Sequence, residues 1–202
     1  MQNSGFRNRL VELIRDAARP VDKFGHQPRL YALTQEVGAG LNYDEDVVFA
    51  AAWLHDLGVF VGHRPEDPAE LAQWDHVAYA VERVPGLLRE VGFPEEKIEP
   101  VLEVIRTHQP KDSPTTIEAT IVRDADILEQ LGAIGILRTV SKVGRDTRFS
   151  TFTQAVAALR RALNTLPGQI KLDRTRQLAA SKIAILEDFL AAVQAESGDD
   201  LH

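Results

Sequence analysis

The chain has 202 residues, 44% apolar and 26% charged, with a formal net charge of −7 and no cysteine. That length and apolar share suit a folded domain with a sizeable core rather than a disordered chain, while the negative charge argues against general nucleic-acid binding. No cysteine means no disulfide and no thiolate metal site, so any metal must take nitrogen and oxygen ligands.

Asn3 or Ser4 caps a first predicted helix over roughly residues 5–19. Phe6, Leu10, Leu13, Ile14 and Ala17 recur on it at the three- and four-residue spacing of one buried face, and Pro20 ends it. The N-terminal stretch Met1 to Arg15 is amphipathic and carries Glu12, so no export signal is read, and no run of about 18 apolar residues predicts a membrane span. The expected location is cytoplasmic. After the link Val21 to Gly25, a second helix runs from about His26 to Gly38, with Leu30, Leu33 and Val37 inward. His26 falls in its first turn, and Arg29 follows one turn on along the same face.

Asp44 caps a third helix, Glu45 to Leu57, whose end reads Ala50-Ala51-Ala52-Trp53-Leu54-His55-Asp56-Leu57-Gly58. A buried charge without a polar partner is costly, and a metal ion would satisfy both polar residues at this apolar end. Adjacent helical residues are about 100° apart. His55 and Asp56 therefore share one ion only over the edge between them, near a helix end where Gly58 lets the chain turn away.

Gly58 to Pro68 is a loop with His63 and Arg64 that could lid a site. A helix follows from Ala69 to Val84, with Leu71, Trp74, Val77, Ala78 and Val81 in pattern and His76 inside it. Pro85-Gly86 breaks or kinks it before Leu87 to Val91. Phe93-Pro94-Glu95-Glu96 starts another helix that ends near His108, and Gln109 to Pro114, with Lys111, is a loop. Thr115 or Thr116 caps a long helix to about Val143, bearing Ile117, Ile121, Val122, Ala125, Leu128 and Leu131. Gly132 and Gly135 inside it mark close helix–helix contact. Ser150 or Thr151 caps a helix to Leu163, Pro167-Gly168 turns the chain, and a last helix spans Asp173 to about Glu196, with a frayed tail from Ser197 to His202. No segment alternates with period two for more than a few residues. The expectation is an all-α fold of about eight helices in a single domain, residues 1–202, with a core over about 20–195.

In order, the metal-ligating candidates are His26, His55-Asp56 and an acid of the Asp124-Ala125-Asp126 run. Two imidazoles and carboxylates suit Mn²⁺, Fe²⁺, Co²⁺, Ni²⁺ or Zn²⁺, and Mg²⁺ less naturally. Asp124 and Asp126 are two apart and point to different helix faces, so only one joins the set.

Ala-Ala-Trp-Leu-His55-Asp56-Leu-Gly resembles the signature of the HD-domain metal-dependent phosphohydrolases, whose pattern is a His, then His-Asp, then a distant Asp on an all-α scaffold. His26-Gln-Pro-Arg29 is similar to the His-x-x-Arg start of their first ligand helix. The stretch from Asp124-Ala-Asp126 through Gly132-Ala-Ile-Gly135 to Arg138 is similar to the last ligand helix of the small, single-domain bacterial members. The resemblance covers roughly residues 20–195. It departs at Phe24-Gly25, where those members often carry an Asp, and in a shorter connection after His-Asp.

The resemblance implies a divalent metal held by His26, His55, Asp56 and Asp126. Asp124 is then an acid near the site or a surface charge beside Arg123. It also implies hydrolysis of a small phosphorylated substrate, of the nucleotide class that some small members hydrolyse. Binuclear and diiron relatives place two further His ligands between His-Asp and the last Asp, in the order of His76 and His108. The catalytic candidates are thus Asp124, His76 and His108. Arg29 is the candidate phosphate clamp, since guanidinium matches phosphate bidentately, and Lys111, on a loop that could approach the site, is the second substrate-binding candidate. Arg138, Lys142, Arg145 and Arg148 form a basic cluster that could receive an anion. The alternatives are a diiron oxygenase or binuclear phosphodiesterase on the same scaffold, and a helical binding module without a working site. An aliphatic helix face could make a homodimer.

Overall fold

A computed structural model of the chain describes residues 4–145, 149–197 and 201. Among these the all-α expectation holds: ten α-helices and short 3-10 turns form, and the only β pairing is two isolated bridges, Val61 with Arg64 and Val143 with Phe149. No described helix is long and apolar enough to cross a membrane. Arg148, the cap candidate Asn3 and most of the tail after Ser197 lie outside the described residues. The chain divides into two compact units, residues 1–123 and 124–202.

The first unit is built around α3, Glu45–Leu54. Every residue from Asp46 to Leu54 is buried, as expected of a helix that is apolar on all sides. It packs against α1 (Ser4–Ala17), α2 (His26–Val37) and α6 (Ile98–Arg106), and α6 also packs on α5 (His76–Glu90). Edge-to-face rings lock this core: Phe6 to Phe93 at 5.1 Å, Tyr31 to Phe49 at 4.9 Å.

The start of α3 is fixed electrostatically. Asp44 caps it, accepting from the Asp46 and Val47 amides. Lys97 donates to Asp44 and Asp46, and Arg7 donates to Asp46 at 2.7 Å and to Glu45 at 3.1 Å. The Tyr31 hydroxyl donates to Glu45 at 2.9 Å. Burial, and then Glu45, push the Tyr31 phenol up to about 12. A raised phenol pKa contributes stability that is whole below the unfolded value near 10 and is lost as pH rises through the folded value. The melting temperature of the protein is therefore expected to fall between pH 10 and about 12, and Tyr31→Phe to flatten that decline. Parallel alkaline decline in both proteins would disprove this.

Three predicted helices differ from those observed. The third ends at Leu54, not Leu57: His55 keeps helical angles (φ −56°, ψ −34°), but Asp56 leaves them (φ −97°, ψ 15°). The helix predicted over Ala69 to Val84 is two, α4 (Pro68–Ala72) and α5. Asp75 restarts the chain as a cap, accepting from the Val77 and Ala78 amides. Pro85 lies inside α5 without ending it, at the loss of one backbone bond to the Val81 carbonyl. With a second split within residues 117–143, this brings the α-helices among the described residues to ten, near the expected eight.

The second unit contains the end of α7 (Ile117–Gln130), then α8 (Gly132–Val140), α9 (Phe152–Thr165) and α10 (Asp173–Ser197). The long helix predicted to Val143 breaks because Leu131 is extended and Gly132 takes φ +69°, a conformation glycine adopts without a Cβ penalty. A Cβ at Gly132 would also meet Lys182 of α10 at 3.1 Å, the close helix contact that the glycines announced. Thr151 caps α9, and Arg138 pairs with the buried Glu129 at 2.9 Å. Helices α8, α9 and α10 pack on one another.

Candidate metal centre

Four helix ends of the first unit carry the site: the starts of α2 and α5 and the ends of α3 and α6. His26 opens α2 and is buried. His55 sits at the end of α3, 1% exposed, and its Nδ1–H donates to the Ala52 carbonyl at 3.2 Å. That bond fixes the tautomer and presents the Nε2 lone pair. His26 Nε2 and His55 Nε2 lie 3.3 Å apart, and Asp56 Oδ2 is 3.7 Å from each. The departure of Asp56 from helical angles lets both neighbours reach one point despite their expected divergence.

A second triad shares the carboxylate. Asp56, His76 and His108 bring ligand atoms within 4.8 Å of one another, as do His26, His55 and Asp56. His108 follows α6, is buried, and donates from Nδ1 to the Ile105 carbonyl at 2.7 Å, the same device as in His55. Ring centroids run His26 to His55 at 5.3 Å, His55 to His108 at 4.9 Å and His108 to His76 at 6.0 Å.

Burial by itself would push the Asp56 carboxyl up. The surrounding imidazoles, His55 and His26 foremost, outweigh burial and hold it well below the usual carboxylate range. Asp56 is therefore an anion at neutral pH.

These residues fit a divalent metal. Two nitrogens each about 2.1 Å from one ion stand about 3.0–3.4 Å apart at right-angled to tetrahedral geometry, and the His26–His55 separation of 3.3 Å falls in that range. An anionic carboxylate among imidazoles, with the far nitrogens of His55 and His108 held by backbone carbonyls, is a donor set that suits such an ion.

The turn after Asp56 sets His76. Leu57–Val59 forms a 3-10 turn packed against α5. A Cβ on Gly58 would stand 2.7 Å from the His76 carbonyl oxygen and 2.8 Å from its Cα. Gly58→Ala must push the turn off α5. It is expected to lower stability by about 1–3 kcal/mol, the range for an overpacked core, and to weaken metal binding. Thermal melts and metal titration check both, and a variant with wild-type values in each would refute this contact.

The other predicted residues are placed as follows. Asp124 is fully buried and accepts from the Lys171 and Leu172 amides at 2.8–3.1 Å, so its carboxylate fastens the chain ahead of α10. Asp126 is partly exposed, and the Gln130 amide donates to it at 3.0 Å. Arg29 is exposed and its guanidinium lies over Gly25, where a Cβ would meet Nη1 at 2.9 Å. Lys111 is exposed on the loop after His108. In the basic cluster, Arg138 is committed to Glu129.

Two features escaped the sequence reading. His76 begins a helix rather than lying within one, and Asp75 as a cap residue ahead of it was the available signal. Arg123 is the largest fully buried side chain and donates to the Pro110 carbonyl, two residues after His108. No sequence signal separates it from a surface arginine.

A family model described as "HD domain" matches residues 24–131, over half the chain. No curated protein matches the sequence significantly. Among solved structures, YpgQ from Bacillus subtilis is 21% identical with a TM-score of 0.75, covering 98% of this chain and 99% of its own. YpgQ in complex with ADP is 22% identical with a TM-score of 0.72, covering 96% of each chain. A structure described as a predicted HD superfamily hydrolase, from an uncultured Thermotogales bacterium, is 23% identical with a TM-score of 0.63, covering 95% of this chain and 92% of its own. At these identities the likeness is one of fold.

Proposed function

The chain belongs to the HD-domain family and is a metal-dependent hydrolase, and from that premise we propose that it hydrolyses a phosphate ester or anhydride of a nucleotide. The observation that carries the reading is the convergence of His26, His55 and Asp56 within ligand distance of one another. The solved complex of YpgQ with ADP supports a nucleotide as the ligand class for this fold. We assign Asp126 as the fourth ligand on the family resemblance. The engagement of Asp124 with two backbone amides supports that choice.

A bound divalent metal supplies Lewis acidity toward a phosphoryl oxygen and lowers the pKa of water, making hydroxide available at neutral pH. The protein's own part is orientation. His55 and His108 hold their Nε2 atoms inward through backbone carbonyls, and Asp56 supplies a fixed negative charge. His76 and His108 are the groups placed to move a proton to or from the reacting oxygens. Arg29, exposed beside His26, is the proposed clamp on the phosphate chain, with Lys111 on the loop after His108.

The test is elemental analysis of protein purified without chelator, followed by a panel of nucleoside mono-, di- and triphosphates assayed for released phosphate and pyrophosphate. Metal-dependent release supports the proposal. Bound metal with no release from any phosphorylated compound would refute it. A second reading, a binuclear phosphodiesterase or diiron oxygenase, is favoured by one observation, the Asp56–His76–His108 triad. Two ions per chain with cleavage of a phosphodiester would select the first, and two irons with oxygen consumption the second.

A further inference from the structure

The loop after His55-Asp56 and the first turns of α5 build an aromatic face that the metal centre does not use. The Trp74 indole N–H donates to the Gly58 carbonyl at 2.8 Å. The Tyr79 hydroxyl is hydrogen-bonded to His63 Nδ1 at 2.9 Å. The Trp74 and Tyr79 rings lie 5.2 Å apart, His63 and Tyr79 5.8 Å apart, and the Arg83 guanidinium stands 6.0 Å from the Tyr79 ring centre. Trp74, Tyr79 and His63 are each partly exposed, and Arg83 is exposed.

This face continues from the second histidine triad. His76, Tyr79 and Arg83 stand at i, i+3 and i+7 of α5, one stripe of a helix. At 1.5 Å rise per residue, Tyr79 sits about 4.5 Å and Arg83 about 10 Å along the axis from His76. The polar ends of Trp74 and Tyr79 are tied to Gly58 and His63. The rings are thereby held in place before anything binds, which removes the ordering cost of binding. Burial, and then Arg83, push the His63 imidazole below its ordinary pKa, so it offers a neutral ring. A pre-ordered set of aromatic rings that continues from a divalent-metal centre matches a ligand with a planar ring at one end and an anionic group at the other.

We propose that Trp74, Tyr79 and His63, with Arg83 beyond them, form the subsite for the aromatic base of a nucleotide whose phosphate chain reaches the metal centre. The inference rests on the hydrolase reading above and deepens it, because it assigns to particular residues the preference for a base over a bare phosphorylated sugar. Trp74 also holds Gly58 and through it His76, so Tyr79 is the diagnostic position.

The experiment compares wild type, Tyr79→Leu and Tyr79→Phe, all loaded with Mn²⁺. For each, kcat/KM is measured on a nucleoside diphosphate and on ribose 5-phosphate, and ADP binding is measured by calorimetry. Tyr79→Leu is expected to lower the nucleotide-to-sugar ratio and the ADP affinity about tenfold, within the range of one base–aromatic stack. Bound metal and melting temperature should be kept, and Tyr79→Phe should restore most of the ratio. An unchanged ratio with unchanged ADP affinity overturns the subsite. If wild type hydrolyses neither compound, the wider nucleotide panel above decides the hydrolase reading and the ADP affinities alone decide the subsite: a loss in Tyr79→Leu supports it and equal affinities overturn it.

Discussion

Asp56→Asn is expected to lose its metal entirely and, with it, hydrolysis. Asp56 belongs to both ligand triads, so no pair of histidines keeps a complete set once its charge is gone. The change nearly preserves side-chain volume, which leaves the packing of α3 and the Leu57–Val59 turn in place. Metal affinity should fall by more than about 100-fold, since even residues that only support a ligand change affinity 10- to 100-fold. Elemental analysis after gel filtration, beside a thermal melt, separates this from misfolding. A folded Asp56→Asn protein that retains a stoichiometric metal would remove the centre as described.

His108→Ala should retain the metal on His26 and His55 and still lose about 10²- to 10⁴-fold in activity, the usual contribution of a positioned proton-transfer group. His108 is buried, its Nδ1 is committed to Ile105, and its ring stands 4.9 Å from that of His55. That arrangement is not one of a surface histidine, and it sets the ring against the ligand histidines. Mn²⁺ titration then distinguishes its two roles. If wild type takes up two equivalents and the variant one, His108 is a ligand of a second ion. If both take up one, His108 moves a proton. His76→Ala is expected to follow the same division, because its ring completes the same triad. Activity within about threefold of wild type in both variants, well short of that contribution, would reduce the site to a mononuclear one served by other residues.

The locally written features were legible in the chain. The apolar run into His55-Asp56 announced a buried helix with a polar end, and every residue from Val47 to Leu54 is indeed buried. Asp44 and Thr151 were readable as caps because capping is a property of a few consecutive residues. The breaks were harder to see. Residues 69–84 and 117–143 keep helical periodicity straight across Trp74-Asp75 and Leu131-Gly132, and periodicity does not register a short extended linkage that preserves the apolar face.

Sequence alone determined the helical class, the buried helix that ends at the His-Asp pair and the supply of nitrogen and oxygen ligands, because these depend on composition and on spacing within one element. Tertiary structure decided which of those residues meet. His26, His76 and His108 come from separate segments, and only the packing of α2 and α6 on α3, and of α5 on α6 and the Leu57–Val59 turn, brings their rings to Asp56. The same packing turned Gly58 from a helix stop into a contact surface for His76 and buried Arg123 beneath the loop that follows His108. The physical reason is range: capping, period and propensity act over a few residues, whereas a shared ligand set depends on where separate helix ends arrive in space.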